Sequence, residues 1–164
     1  MIILVSDTSV LIDLERGGLL ETVFTADLTL VVPDLLYERE LENDIGPYLR
    51  QLGLGVVTLT ASEVQLAQKV RTERPGLSLP DCFALSCASR PDHSLVTGDG
   101  LLRKEASKRL GRVYGLLWLL DQIEASGKTS HEILKEGLSK ISDHPRTRLP
   151  KDEVRKRMSA WTPP

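Results

Sequence analysis

Short apolar runs rich in β-branched residues alternate with stretches whose apolar positions recur every three or four residues. The first kind predicts strands buried on both sides, the second amphipathic helices. Strands are predicted over residues 1–6, 28–32, 56–59, 94–97 and, briefly, 112–114. Between them, helices are predicted over 10–14, closed by Gly17-Gly18, and from Asp34 toward Asn43, opened by Pro33-Asp34. A short helix follows the Gly46-Pro47 break and reaches Leu52. Further helices cover 61–74, with Val64, Leu66, Ala67 and Val70 as a rough stripe, and 80–90. The remaining helices cover 101–110, 116–125, 130–141 and 151–160. Strand–helix alternation of this kind is the signature of an α/β fold, a central parallel β-sheet flanked by helices on both faces, here with a helical C-terminal extension. Residues 1–126 are read as the sheet domain and 127–164 as the extension. The turn-rich stretch 142–150 is the best internal boundary, and the tail beyond it is too short to fold alone.

Composition narrows the class. At 164 residues, 41% hydrophobic and 27% charged, the chain reads as one ordinary soluble domain with a real core. No apolar run approaches the roughly 20 residues of a membrane span, and the apolar start reads as a strand, not a signal peptide. Cys82 and Cys87 are five apart with no Cys or His near them, which excludes a zinc site built on them. They read as small buried hydrophobes in a reducing, cytoplasmic setting.

The net charge of −2 hides an asymmetry. Residues 144–164 carry six basic side chains (Arg146, Arg148, Lys151, Arg155, Lys156, Arg157) against two acids, Asp152 and Glu153. An acidic body with a basic tail fits either a polyanionic partner or a solvated terminal helix. Arg146, Arg148 and Arg155 are the candidate contacts to such a partner.

Three acids fall where parallel sheets place their chemistry. Asp7 follows the first strand and Asp99 the fourth, and ligands of open α/β sheets bind outside the carboxyl ends of the strands. Asp81 lies in the first turn of a helix, where negative charge is favoured. A fourth acid comes from Glu38 or Glu40, on the helix after the second strand. Taken singly, each has a structural alternative: Asp7 as a helix cap, Asp81 as a first-turn residue, Asp99 as a turn residue, Glu38 and Glu40 as solvated charges. Taken together they converge on one sheet edge, which capping does not require. Crowded carboxylates repel, and a hard divalent cation relieves the repulsion. Two such ions serve phosphodiester hydrolysis by activating a water and stabilising the leaving oxygen. The chain lacks the Lys-Ser/Thr of a phosphate-binding loop, metal-ligand spacing among His93, His131 and His144, and a nucleophile elbow.

The segments DTSVLIDL (7–14), SLPDCFALSCA (78–88) and LVTGDGLL (95–102) resemble, in order and spacing, the motifs of PIN-domain nucleases, including VapC-type toxins. The resemblance covers roughly residues 1–120. It implies a PIN-like fold and Asp7, Glu40, Asp81 and Asp99 as catalytic metal ligands, with Ser9 and Thr97 supporting. Glu40, six residues after Asp34 and followed by Leu41, fits the family's register; Glu38 is the alternative, about 200° away around a helix. The resemblance further implies Mg2+- or Mn2+-dependent endoribonuclease activity on RNA, frequent homodimers and an antitoxin protein as partner. Small toxins of this kind often stop soon after the last sheet element, whereas this chain continues through 127–164. A basic tail that grips RNA predicts weaker, less salt-dependent binding when residues 145–164 are deleted. Two other readings use the same acids: a catalytically silent PIN-like module binding RNA or a protein, and a phosphatase- or receiver-like α/β protein.

Overall fold

Residues 3–6 are apolar up to Ser6, and a strand of that kind is stable only when both faces are covered. In the computed structural model, which describes residues 2–164, this segment is β1 (Ile3–Ser6), the central strand of a five-stranded sheet. Met1, which the sequence reading includes in the strand, lies outside the described residues. The others are β2 (Thr29–Pro33), β3 (Gly55–Val57), β4 (His93–Val96) and β5 (Val113–Tyr114). All pair in parallel, in the order β3-β2-β1-β4-β5. The chain winds outward from β1 through β2 to β3, then returns to place β4 on the opposite side of β1. The crevice beyond the ends of β1 and β4 is therefore the topological switch point, where such sheets bind ligands.

Between these strands lie α1 (Thr8–Arg16), α2 (Leu20–Thr25), α3 (Asp34–Leu36), α4 (Gly46–Leu52), α5 (Ala61–Glu73) and α6 (Leu79–Ala88). After β4 come α7 (Gly100–Arg109), α8 (Leu116–Ala125), α9 (His131–Ser142) and α10 (Lys151–Ala160). Helix α6 packs over β1, β2 and β4 and against α5, while α1, α8 and α9 pack together. Among the described residues no helix is long and apolar enough to cross a membrane.

Two elements differ from expectation. The predicted helix 34–43 is a single α-turn that widens into a π-helical turn, Tyr37–Leu41, closed by Glu42 N–H donating to the Tyr37 carbonyl at 2.8 Å. Such widened turns occur frequently at functional sites. Helix α2 has no sequence prediction; its six residues include Thr22, Val23 and Thr25, all poor helix formers, and no side chain caps it. Burial of Leu19, Leu20 and Val23 holds it in place.

The C-terminal helices share the sheet's core. Leu134, Leu138 and Ile141 of α9 are fully buried in the same hydrophobic cluster as β1 and β4. Gly137 lets α9 approach closely, since a Cβ there would lie 2.6 Å from Leu19 Cδ1. Helix α10 is tied back by Arg157, which donates two hydrogen bonds to Asp121, at 2.8 and 2.6 Å, and by Trp161, whose indole N–H donates to Glu124.

One ion pair locks α5 to α6. Arg90 donates to both carboxylate oxygens of Glu63, at 2.7 and 2.8 Å, and to the Thr58 carbonyl at 2.8 Å. The Arg90 hydrogen bonds hold the Glu63 carboxyl down at about 2. A depressed acid stabilises the fold above its unfolded value of 4.5, and that contribution fades as pH falls toward 2. Glu63→Gln is expected to lower stability by about 1–2 kcal/mol at pH 7 in urea unfolding, with the difference closing toward pH 2. An equal loss at both pH values would mean the charge is irrelevant.

Candidate metal centre

Asp7 leaves the end of β1 and caps α1, accepting from Val10 N–H at 3.1 Å. The side chain is 1% exposed. Ser9 Oγ lies 2.8 Å from both of its carboxylate oxygens, and Thr97 Oγ1 donates to Oδ2. Ser9 Oγ in turn accepts from Gly98 N–H at 3.0 Å, and Thr97 Oγ1 from Asp99 N–H at 3.0 Å. The loops after β1 and β4 are thus tied together through one carboxylate. Gly98 permits this approach: a Cβ there would sit 3.2 Å from Ser9 Oγ and 3.3 Å from Asp13 Oδ2.

Asp99 caps α7, its Oδ1 accepting from Leu102 N–H at 2.9 Å. Asp81 lies in the first turn of α6 within a capping box: Ser78 Oγ accepts from Asp81 N–H at 3.1 Å, and Asp81 Oδ2 accepts from Ser78 N–H at 3.4 Å. Glu40, on the π-helical turn, accepts from Thr8 Oγ1 at 2.6 Å through Oε1. Glu38 makes no such contact among the described residues. Capping and convergence are therefore compatible: each aspartate stabilises its helix with part of its carboxylate. Asp81 Oδ1, Asp99 Oδ2 and Glu40 Oε2 accept no protein hydrogen bond among the described residues.

The electrostatics couple these groups. Burial pushes the Asp7 carboxyl up to about 7, against the pull of Thr97, Ser9 and Val10, and the charge of Asp81 adds to the rise. Asp81 is also raised, by burial first, with Asp99 and Glu40 adding to it while Ser78 opposes it. Asp7 thus senses the charge of Asp81, and Asp81 those of Asp99 and Glu40, and the four present oxygen donors only, the donor set of a hard divalent cation. Among the described residues no three His, Cys, Asp or Glu side chains are close enough to enclose one ion.

A groove of about 780 Å³ opens beside Asp99, Thr97 and Ser9. Arg146 and Arg148 line it, as does Arg157, which is committed to Asp121 and Glu153. Arg155 lies outside it, bordering a second cavity and paired with Asp152 at 3.5 Å. Sequence reasoning missed Arg103 and Trp118 of this groove, Thr8 beside Glu40, and Asp13, whose carboxyl is raised chiefly by burial. Trp118 carried a signal: it sits on the polar side of α8, opposite Leu116, Leu119, Leu120 and Ile123. Cys82 and Cys87 are buried free thiols, each pushed to about 11 by burial.

A profile of the family DUF3368, described as a PIN domain, matches residues 3–162, a span that includes α9 and α10. No curated protein and no solved structure matches the chain.

Proposed function

The chain belongs to the PIN-domain family, whose members are generally nucleases, and from there we propose that it is a divalent-metal-dependent endoribonuclease acting at the switch-point acids. The observation that carries this reading is a chain of like charges at the switch point: Asp81 adds to the raising of the Asp7 carboxyl, and Asp99 and Glu40 add to that of Asp81. A site that only capped helices would have no reason to crowd four acids.

In this reading Asp7, Asp81, Asp99 and Glu40 hold Mg2+ or Mn2+. The bound metal supplies Lewis acidity, lowering the pKa of an attacking water and offsetting charge on the phosphodiester. Ser9 and Thr97 fix the Asp7 carboxylate between two loops, and Thr8 orients Glu40. The Leu102 amide turns Asp99 so that Oδ2 is left for a ligand. The resemblance to VapC-type toxins extends the proposal to a cytoplasmic toxin with an antitoxin protein as partner, acting as a homodimer.

The test incubates the purified chain with single-stranded and structured RNA, with Mg2+, Mn2+ or chelator. Cleavage is expected only with metal. Asp99→Asn should lower it by about a hundredfold or more, Glu40→Gln should impair it, and Glu38→Gln should leave it unchanged. Equal cleavage in chelator, or by Asp99→Asn, would overturn the proposal. Folded protein that neither binds metal nor cleaves would make it a silent PIN-like binding module.

A further inference from the structure

The groove beside Asp99 has two chemically different ends. At one lie Ser9, Thr97 and Asp99; at the other lies the segment between α9 and α10, which contributes Arg146 and Arg148. Arg103 of α7 reaches in between: its Nη1 lies so near Gly115 that a Cβ there would approach to 2.7 Å. Of the arginines lining the groove, Arg16 is paired with Asp13, and Arg157 with Asp121 and Glu153. Arg103, Arg146 and Arg148 have no carboxylate partner among the described residues, and this leaves three uncommitted guanidinium groups in the groove's lining. Arg148 also borders the second cavity, where Lys151 and Arg155 continue the basic path away from the acids.

The groove also has one aromatic side chain in its lining, Trp118, backed by a second. Tyr114 of β5 and Trp118 of α8 stack with ring centroids 3.9 Å apart and planes 9° apart, and Trp118 borders the groove. A pair packed that tightly is rigid, so little side-chain entropy is lost when a third ring joins or flanks it. Arginines suited to phosphates, a rigid indole suited to a base and a volume within the roughly 300–1,000 Å³ of ligand pockets describe a path for unpaired nucleotides. A duplex buries its base faces in its own stack and offers none to Trp118.

We infer that this groove binds single-stranded RNA flanking the cut. A base lies against Trp118, and Arg103, Arg146 and Arg148 take the neighbouring phosphates. The inference rests on the proposed nuclease reading for its choice of RNA, while the groove's features are independent of catalysis. It assigns the C-terminal segment a role as one wall of the substrate path.

The experiment titrates the full chain, in chelator so that RNA stays intact, with a mixed-sequence single-stranded RNA oligonucleotide and with the same sequence as a duplex. Binding is read by anisotropy of labelled RNA and, in parallel, by tryptophan emission. Single-stranded RNA is expected to bind more tightly than duplex and to quench emission. Trp118→Ala should weaken single-strand binding by roughly tenfold or more, and Trp118→Phe should retain most of it while losing the quench, because Trp161 is buried. Arg146→Ala and Arg103→Ala should each flatten the salt dependence by about 0.7 in log–log slope. Unaltered binding by Trp118→Ala, or duplex bound as tightly as single strand, would overturn the inference. The two readings fail separately: binding lost with Trp118→Ala but no cleavage under any metal refutes the nuclease alone, and metal-dependent cleavage with Trp118→Ala unchanged in binding refutes the groove alone.

Discussion

Asp7→Asn is expected to yield a protein that unfolds at higher urea concentration than the unaltered chain at pH 8 in chelator, yet has lost RNA cleavage. The Asp7 carboxyl is almost fully buried, and burial pushes it from 3.8 up to about 7. Below pH 3.8 both folded and unfolded states carry the proton, and the group has no effect on stability. Between 3.8 and about 7 the unfolded state releases its proton first, so stability falls as pH rises. Above 7 the full penalty of the buried charge is present, on the order of 4 kcal/mol for a shift of this size. The asparagine carries no charge at any of these pH values. Its Oδ1 can still accept from Val10 N–H, and the hydroxyls of Ser9 and Thr97 can turn to accept where they now donate. The expected gain is about 2–4 kcal/mol at pH 8, shrinking to nothing near pH 4. Added Mg2+ or Mn2+ should reverse the order, since a ligand at a hundred times its Kd stabilises the unaltered chain by about 2.7 kcal/mol and the variant by less. Identical stabilities from pH 4 to pH 8 would mean that Asp7 is uncharged or well compensated, and the electrostatic case for a cation site would collapse.

Parts of the candidate site were legible in the sequence because they lie at positions fixed by local chain chemistry. Asp7 and Asp99 follow strand ends and precede helices, and Asp81 sits in a helix first turn, positions set by local chain chemistry. Counting from Asp34 singled out Glu40 even though the helix assumed for the count is a π-helical turn. The structure sets Glu40 against Thr8, a contact that only the pairing of β1 with β2 brings about. What sequence could not separate is which cations are committed. Arg146, Arg148, Arg155 and Arg157 are equivalent as letters, but Arg157 is tied to Asp121 on another helix and Arg155 faces a different cavity. Nor does the sequence show that Tyr114 and Trp118, four residues apart across a strand–helix junction, stack on each other. Such pairings are tertiary, and no local periodicity records them.

Trp161→Ala is the second large effect expected, on stability first and on substrate binding as a consequence. The indole is 2% exposed, belongs to the main hydrophobic cluster and donates to Glu124 of α8. Removing it leaves a cavity the size of an aromatic side chain and should destabilise the protein by about 3–5 kcal/mol. For a chain of this length the midpoint of thermal unfolding should fall by roughly 10 °C or more. Trp161→Phe should recover part of the loss, because the ring volume returns without the N–H donor. Residues 146–150 are held between α9 and α10, so loosening α10 also loosens the wall that carries Arg146 and Arg148. Single-strand affinity is therefore expected to weaken in Trp161→Ala at temperatures where the chain is still folded. For the same reason, deleting residues 145–164 is a poor probe of RNA contacts, since it removes a core tryptophan together with the cations. Arg146→Ala changes the charge alone. A Trp161→Ala chain that melts within a degree of the unaltered one would show that α10 rests on a finished domain, and residues 1–142, which keep the buried face of α9, would then be the unit to test for folding and cleavage on their own.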